Sequence, residues 1–168
     1  MQIRLAGILP NSNANGPGLR KAFFSQGCSH GCPDCFNKHT WSFSGGVMKD
    51  CDELINETLD ETYLSGVTFT GGDPFDQPEP FAYMAKAFKD KLNIWAYTGY
   101  TWEQLIKLAE TNIHIKTMLD CIDVVVDGPF IKEKHSDQIE FRGSTNQRII
   151  DVKESLKQNK VIIDKRFK

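Results

Sequence analysis

Short apolar runs that end in glycine turns alternate along this chain with helix-patterned stretches, and that alternation narrows the possible folds more than any other feature. "GVTFT" at 66–70 runs into "GGDPF", "NIWAYT" at 93–98 runs into Gly99, and "IDVVVDG" starts at residue 122. Between and before these, residues 48–64 place Met48, Leu54, Ile55, Leu59 and Tyr63 at helical spacings, and further helices are predicted over about 77–90 and in "TWEQLIKLAE" from 101. At the front, "QIRLAGILP" and "GLRKAFFSQG" predict two extended segments joined by the turn-rich link "NSNANGPG". Strands alternating with amphipathic helices imply a parallel sheet, whose ligands sit beyond the carboxyl ends of the strands. The predicted strands are too few for a closed barrel. The expected fold is therefore α/β, a small partial (β/α) barrel of mainly parallel strands with an open mouth, in one domain over residues 1–168.

The second extended segment feeds straight into "FFSQGCSHGCPDCFNKHTW", where Cys28, Cys32 and Cys35 crowd into one loop. The spacing C-x3-C-x2-C gathers three soft thiolates, and Gly27 and Gly31 let the backbone fold tightly around what the sulfurs hold. A tetrahedral zinc wants a fourth ligand, for which His39 is a candidate, and a self-contained iron–sulfur cluster wants a fourth cysteine. Cys51 and Cys121 stand outside any regular cluster spacing and are expected to be small apolar fillers, Cys51 on a helix and Cys121 opening a strand. Otherwise one coordination position is left open, which is the mark of a catalytic metal site.

Composition removes several classes of function. A formal net charge of −2 gives no electrostatic case for nucleic-acid binding, and the basic tail "KRFK" is expected to be a solvated end. No apolar run approaches the ~20 residues of a membrane helix, and the N-terminus lacks a signal-peptide pattern. With an odd number of cysteines, five, of which three are clustered in one loop rather than paired in a framework, a reducing, cytoplasmic setting is expected.

The cysteine loop, "GGDPF", "YTGY" and "VDGPF" all fall at predicted strand ends, so four motifs converge on one edge of one sheet. C-x3-C-x2-C after an early strand, with "GGDP" after a later one, resembles the radical S-adenosylmethionine superfamily. "NGPG", "QGCSHGCPDCFNKHTW", "GGDPF", "YTGY", "VDGPF" and "FRGSTNQR", in that order from residue 15 to residue 148, resemble the activating enzymes of anaerobic (class III) ribonucleotide reductases.

The resemblance implies a 4Fe-4S cluster held by Cys28, Cys32 and Cys35, with the fourth iron given to the amino and carboxylate groups of S-adenosylmethionine. It implies cofactor contacts from Gly71, Gly72, Asp73 and Pro74 in "GGDPF", although most of the superfamily carries glutamate where Asp73 stands. Thr98 and Gly99 of "YTGY" would meet the sugar or carboxylate, Asp127 of "VDGPF" the ribose or a loop, and Arg142 of "FRGSTNQR" a carboxylate. Tyr97, Tyr100, Trp41 and Trp102 are expected to pack, and His30 and His39 to take surface or hydrogen-bonding roles. The implied reaction is reductive cleavage of S-adenosylmethionine to a 5′-deoxyadenosyl radical that abstracts hydrogen from a glycine of the large reductase subunit. A one-electron donor such as flavodoxin would supply the electron. Two other readings stand beside it: a radical enzyme of the same superfamily acting on a small molecule, and a non-catalytic, zinc-stabilised binding module.

Overall fold

The structure, a computed structural model, describes residues 1–32, 35 and 38–167. Pro33, Asp34, Phe36 and Asn37 of the cysteine loop and Lys168 of the tail lie outside the described residues. The strands are β1 (Gln2–Ser12), β2 (Arg20–Ser25), β3 (Val47–Asp50), β4 (Gly66–Gly71), β5 (Asn93–Tyr97), β6 (Val124–Asp127) and β7 (Arg148–Asp151). They form a seven-stranded sheet in the order β3-β1-β2-β4-β5-β6-β7. The middle of the sheet, β2-β4-β5-β6, is parallel, whereas β1, β3 and β7 join antiparallel. The expected α/β architecture with a mainly parallel sheet is present, and the sheet is flanked by antiparallel strands at both ends.

The helices are α1 (Cys51–Asp60), α2 (Pro78–Phe88), α3 (Trp102–Ala109), α4 (Ile113–Cys121) and α5 (Val152–Gln158). All five send side chains into one core cluster with alternate strand residues such as Phe23, Val67, Phe69, Ile94, Ala96 and Val125. Because strand side chains alternate between faces, the intervening residues Trp95, Val124, Val126 and Ile149 form a separate cluster to which no α-helix among the described residues contributes. Helices therefore cover one face of the sheet. The other face is left for loops and ligands. No helix among the described residues is long and apolar enough to cross a membrane.

Three expectations need correction. Residues 47–50 are the edge strand β3, paired with Leu5 to Gln2 of β1, so Met48 belongs to a strand and the helix starts only at Cys51. Asp50 is the physical boundary: its carboxylate caps the helix by accepting from the Glu53 amide. Cys121 ends a helix rather than opening a strand, because Asn112 caps an additional helix whose Ile115, Met118 and Leu119 are buried at helical spacing. The tail is also not wholly solvated, since the Phe167 ring packs 5.8 Å from both Trp95 and Phe141.

Phe69 lies at the centre of the helical face, fully buried, with ring centroids 6.2 Å from Phe23 and 4.9 Å from Phe81. Phe69→Ala would remove a ring from both layers at once, and we expect a loss of about 3–5 kcal/mol in folding free energy, measured by urea unfolding.

Candidate active site

The ends of β2, β4, β5 and β6 do converge. A cavity of about 340 Å³ is lined by Cys28, His30, Cys32 and Cys35 from the cysteine loop, by Gly71 and Gly72, by Thr98 and Gly99, by Gly128 and Phe130, and by Arg142 and Gln147. Of the residues expected to touch a cofactor, Gly71, Gly72, Thr98, Gly99 and Arg142 are among these, with all three cysteines. Asp73, Pro74 and Asp127 are not.

The two glycines of "GGDPF" are needed for a reason the sequence does not display. Gly71 adopts φ +96°, and a Cβ there would meet the Ser25 amide nitrogen at 2.5 Å. A Cβ on Gly72 would meet the Gly27 carbonyl oxygen at 2.4 Å. The turn after β4 thus lies directly against the backbone that leads into the cysteine loop, joined by Gly72 N–H to Ser25 O at 2.8 Å and Asp73 N–H to Gly27 O at 2.9 Å. The close approach is first of all to protein.

Asp73 follows, fully buried, and is the hub of the site. Its Oδ1 accepts from the Phe75 amide at 3.0 Å, its Oδ2 from the Gly99 amide at 2.9 Å and from the Thr98 hydroxyl at 2.8 Å. The His30 Nε2 lies 2.5 Å from the same Oδ2. Burial pushes the Asp73 carboxyl up, against the opposing pull of the His30 bond. For His30 burial is the largest influence and works against the charged ring, but the bond to Asp73 together with the negative charges of Asp73 and Asp76 outweighs it and the ring's pKa rises. Gly99 is small for the same contact: a Cβ there would sit 2.6 Å from the imidazole. Asp73 therefore ties three strand ends together rather than facing the cavity, and Pro74 is buried as the first residue of the 3-10 turn that it caps.

Asp127 is likewise engaged inside the protein. Its oxygens accept from the Trp102 amide at 2.8 Å and from Arg148 Nη2 at 2.6 Å and Nε at 3.1 Å. With 1% of its surface exposed, Asp127 forms a clamp between the end of β6, the start of α3 and β7. The polar loop 141–148 is mostly self-satisfying: Gln147 accepts from the Gly143 and Ser144 amides and donates to Gly128 O, and Asn146 donates to Pro129 O. Arg142 differs, because its Nε is a buried donor without an acceptor among the described residues, and its side chain lines the cavity. An anionic group in the cavity would satisfy it.

The cavity also includes residues that sequence reasoning missed, notably Ala14 and Asn15 of the link after β1, and Thr70, Phe130 and Phe141. Buried Arg20 brings the link there by donating to Pro17 O at 3.0 Å, while the Thr68 hydroxyl donates to Asn15 O at 2.6 Å. The signal in the sequence was "NGPG", which marked a turn but not its destination.

The donor set fits a cluster. Cys28, Cys32 and Cys35 are half-buried, while Cys51 and Cys121 are buried in the helical core. Burial pushes the Cys28 thiol up to about 11 and raises that of Cys32, so their deprotonation calls for the positive charge of a bound metal. His39 is exposed on a 3-10 turn and is absent from the cavity lining, which leaves a zinc site of three cysteines and His39 without support.

Gly72→Ala should push the turn off the cysteine loop. After anaerobic reconstitution with iron and sulfide we expect a marked loss of iron per chain, with far-ultraviolet circular dichroism unchanged. Gly7→Ala, where a Cβ meets nothing within 4 Å, should leave iron content at the wild-type value.

Comparison with known proteins agrees with this chemistry. The family described as a 4Fe-4S single cluster domain matches residues 14–150. An anaerobic ribonucleoside-triphosphate reductase-activating protein of Haemophilus influenzae is 37% identical over 149 residues, covering 83% of this chain and 92% of that protein. Proteins of the same name from Vibrio cholerae and Enterobacteria phage T4 are 36% and 34% identical, covering 83% and 84% of this chain and 92% and 90% of their own. Among solved structures, QueE from Escherichia coli aligns with a TM-score of 0.46 at 19% identity, covering 60% of this chain and 54% of that one, a likeness too partial to bear on fold or chemistry. With relatives matched over most of both chains and a cluster domain spanning the cavity, the chain belongs to the family of anaerobic ribonucleoside-triphosphate reductase-activating proteins.

Proposed function

We propose that this chain activates an anaerobic ribonucleotide reductase by generating a radical on a glycine of the reductase's large subunit, as a radical S-adenosylmethionine oxidoreductase. The observation that carries the reading is the composition of the cavity: three cysteine thiols share it with strand-end glycines and an arginine with a free buried donor, and the other two cysteines are elsewhere. When bound, a 4Fe-4S cluster and S-adenosylmethionine supply one-electron reductive cleavage and the hydrogen abstraction that follows from it.

The chain's own residues hold and orient. Cys28, Cys32 and Cys35 are the ligands for three irons, and the absence of a fourth cysteine in the cavity lining suits a cofactor at the remaining iron. Gly71 and Gly72 offer backbone at the cavity wall for the amino group of the cofactor's methionine part. Arg142 Nε suits its carboxylate, Thr98 and Gly99 form the wall toward its nucleoside, and Asp73, Pro74 and Asp127 act by fixing the elements that carry these groups. The open mouth of a partial barrel suits a substrate that is itself a protein segment. A cytoplasmic setting, with a flavodoxin-like protein as electron donor, suits thiols that must stay reduced.

The test is anaerobic reconstitution with iron and sulfide, followed by reductant, S-adenosylmethionine and the cognate large subunit. A glycyl-radical doublet in the electron paramagnetic resonance spectrum, with formation of 5′-deoxyadenosine, is the expected result; absence of both would refute the reading. Cys32→Ala should abolish the brown colour and the cleavage. Cys51→Ala, in the helical core, should leave both intact.

A further inference from the structure

The 3-10 turn Pro74–Asp76 and its cap Asp73 present two carboxylates to the start of the cysteine loop, Asp73 to His30 and Asp76 to Ser29. Asp73 is consumed by the interior. Asp76 is only half-buried, and among the described residues its carboxylate bonds only to Ser29 of the cysteine loop and to Tyr100. Its Oδ2 accepts from the Ser29 amide and the Ser29 hydroxyl, both at 2.9 Å, and its Oδ1 accepts from the Tyr100 hydroxyl. One of its oxygens lies within 4.8 Å of the Cys28 sulfur and of a His30 ring nitrogen. No ion pair among the described residues takes in Asp76, and the nearby His30 gives its ring bond to Asp73. The Tyr100 and His30 rings pack in a T-shaped arrangement with centroids 4.4 Å apart, so the Tyr100 hydroxyl is held on the carboxylate by packing as well as by the bond.

We propose that Asp76 is a positioning residue that anchors the Cys28 arm of the loop and, with Tyr100 moderating its charge, sets the reduction potential of the cluster bound there. The inference rests on the cluster-binding reading above. A fixed negative charge this near a ligand sulfur opposes the electron that enters the cluster, and a donor on that carboxylate weakens the opposition. The step concerned is the gain of one electron by the cluster from an external donor, with no bond made or broken.

Charge and hydrogen bonding can be separated by two substitutions with opposite expected signs. Asp76→Asn removes the charge and retains the shape: its Oδ1 can accept from Ser29 N–H while its Nδ2 donates to the Tyr100 oxygen. Tyr100→Phe keeps the ring on His30 and removes the donor. The measurement is an anaerobic potentiometric titration of the reconstituted protein, monitored by the electron paramagnetic resonance of the reduced cluster, with iron and sulfide determined for each variant.

At a fixed applied potential Asp76→Asn should raise the ratio of reduced to oxidised cluster on the order of tenfold, and Tyr100→Phe should lower it about threefold. Unchanged potentials, or shifts of the same sign in both variants, would overturn the proposal, because a merely loosened loop has no reason to respond with opposite signs. If Asp76→Asn fails to hold a cluster, Tyr100→Phe decides: a downward shift supports the proposal and any other result overturns it. A wild-type protein that takes up no cluster would instead overturn the functional reading, and this inference with it.

Discussion

A buried carboxylate has to be satisfied, and the structure around Asp73 is organised by that requirement. The group is fully buried, and transferring an unpaired carboxylate from water into such a place is prohibitive. Its partners come from its own turn, from the end of β5 and from between the first two cysteines: the Phe75 amide, the Thr98 hydroxyl with the Gly99 amide, and His30. A single side chain therefore joins the cysteine loop to two strand ends. The small residues follow from it, since Gly72 must let the turn reach the loop backbone and Gly99 must let the imidazole reach Asp73.

Placing helices on one face of the sheet is the second organising condition. Alternation along β5 and β6 sends Ile94, Ala96 and Val125 to the helices and Trp95, Val124 and Val126 to the opposite face. There the cover comes from loops and the tail: Phe141 and Phe167 pack on Trp95, and Arg20 lies over the same indole at 5.8 Å. Every hydrogen-bond acceptor of the Arg20 guanidinium is a neutral oxygen, and it fixes the link after β1 in place while filling the interior beneath it. The cavity is what remains between this filled region and the cysteine loop. Asp127 performs the corresponding service at the far side, where its bonds to Trp102 and Arg148 lock the antiparallel β7 onto the parallel sheet.

Much of this was legible from residues alone, and the reasons differ from element to element. The central strands were clear because strands buried on both faces read as continuous apolar runs closed by glycine, as in "GVTFTGG" and "IDVVVDG". Edge strand β3 was not, since four residues with exposed Val47 and Met48 carry almost no pattern, and Met48 happened to stand at a helical spacing. The Asp50 cap was the available signal. Helix α4 was not read either, although Asn112 as a cap and Ile115, Met118 and Leu119 at helical spacing were the available signal. The polar loop 141–148 is dense in side-chain donors, of which Arg142 alone was expected to meet a carboxylate of the cofactor. Folding uses up most of its donors on its own backbone and on residues 128–135, and leaves Arg142 as the exception.

The sequence by itself determined which chemistry is possible: three closely spaced thiols on a loop after a strand, and glycine turns at the ends of the strands that follow, are local features that no packing can relocate. Only the tertiary structure decided which polar groups face the cavity and which face each other. Asp73, Asp127 and Arg142 look alike as candidate ligands along the chain. The first two end up as acceptors for buried donors tens of residues away, and Arg142 retains an unmatched donor. That division depends on the distances between residues remote in sequence, because a buried polar group takes whichever partner folding brings within reach.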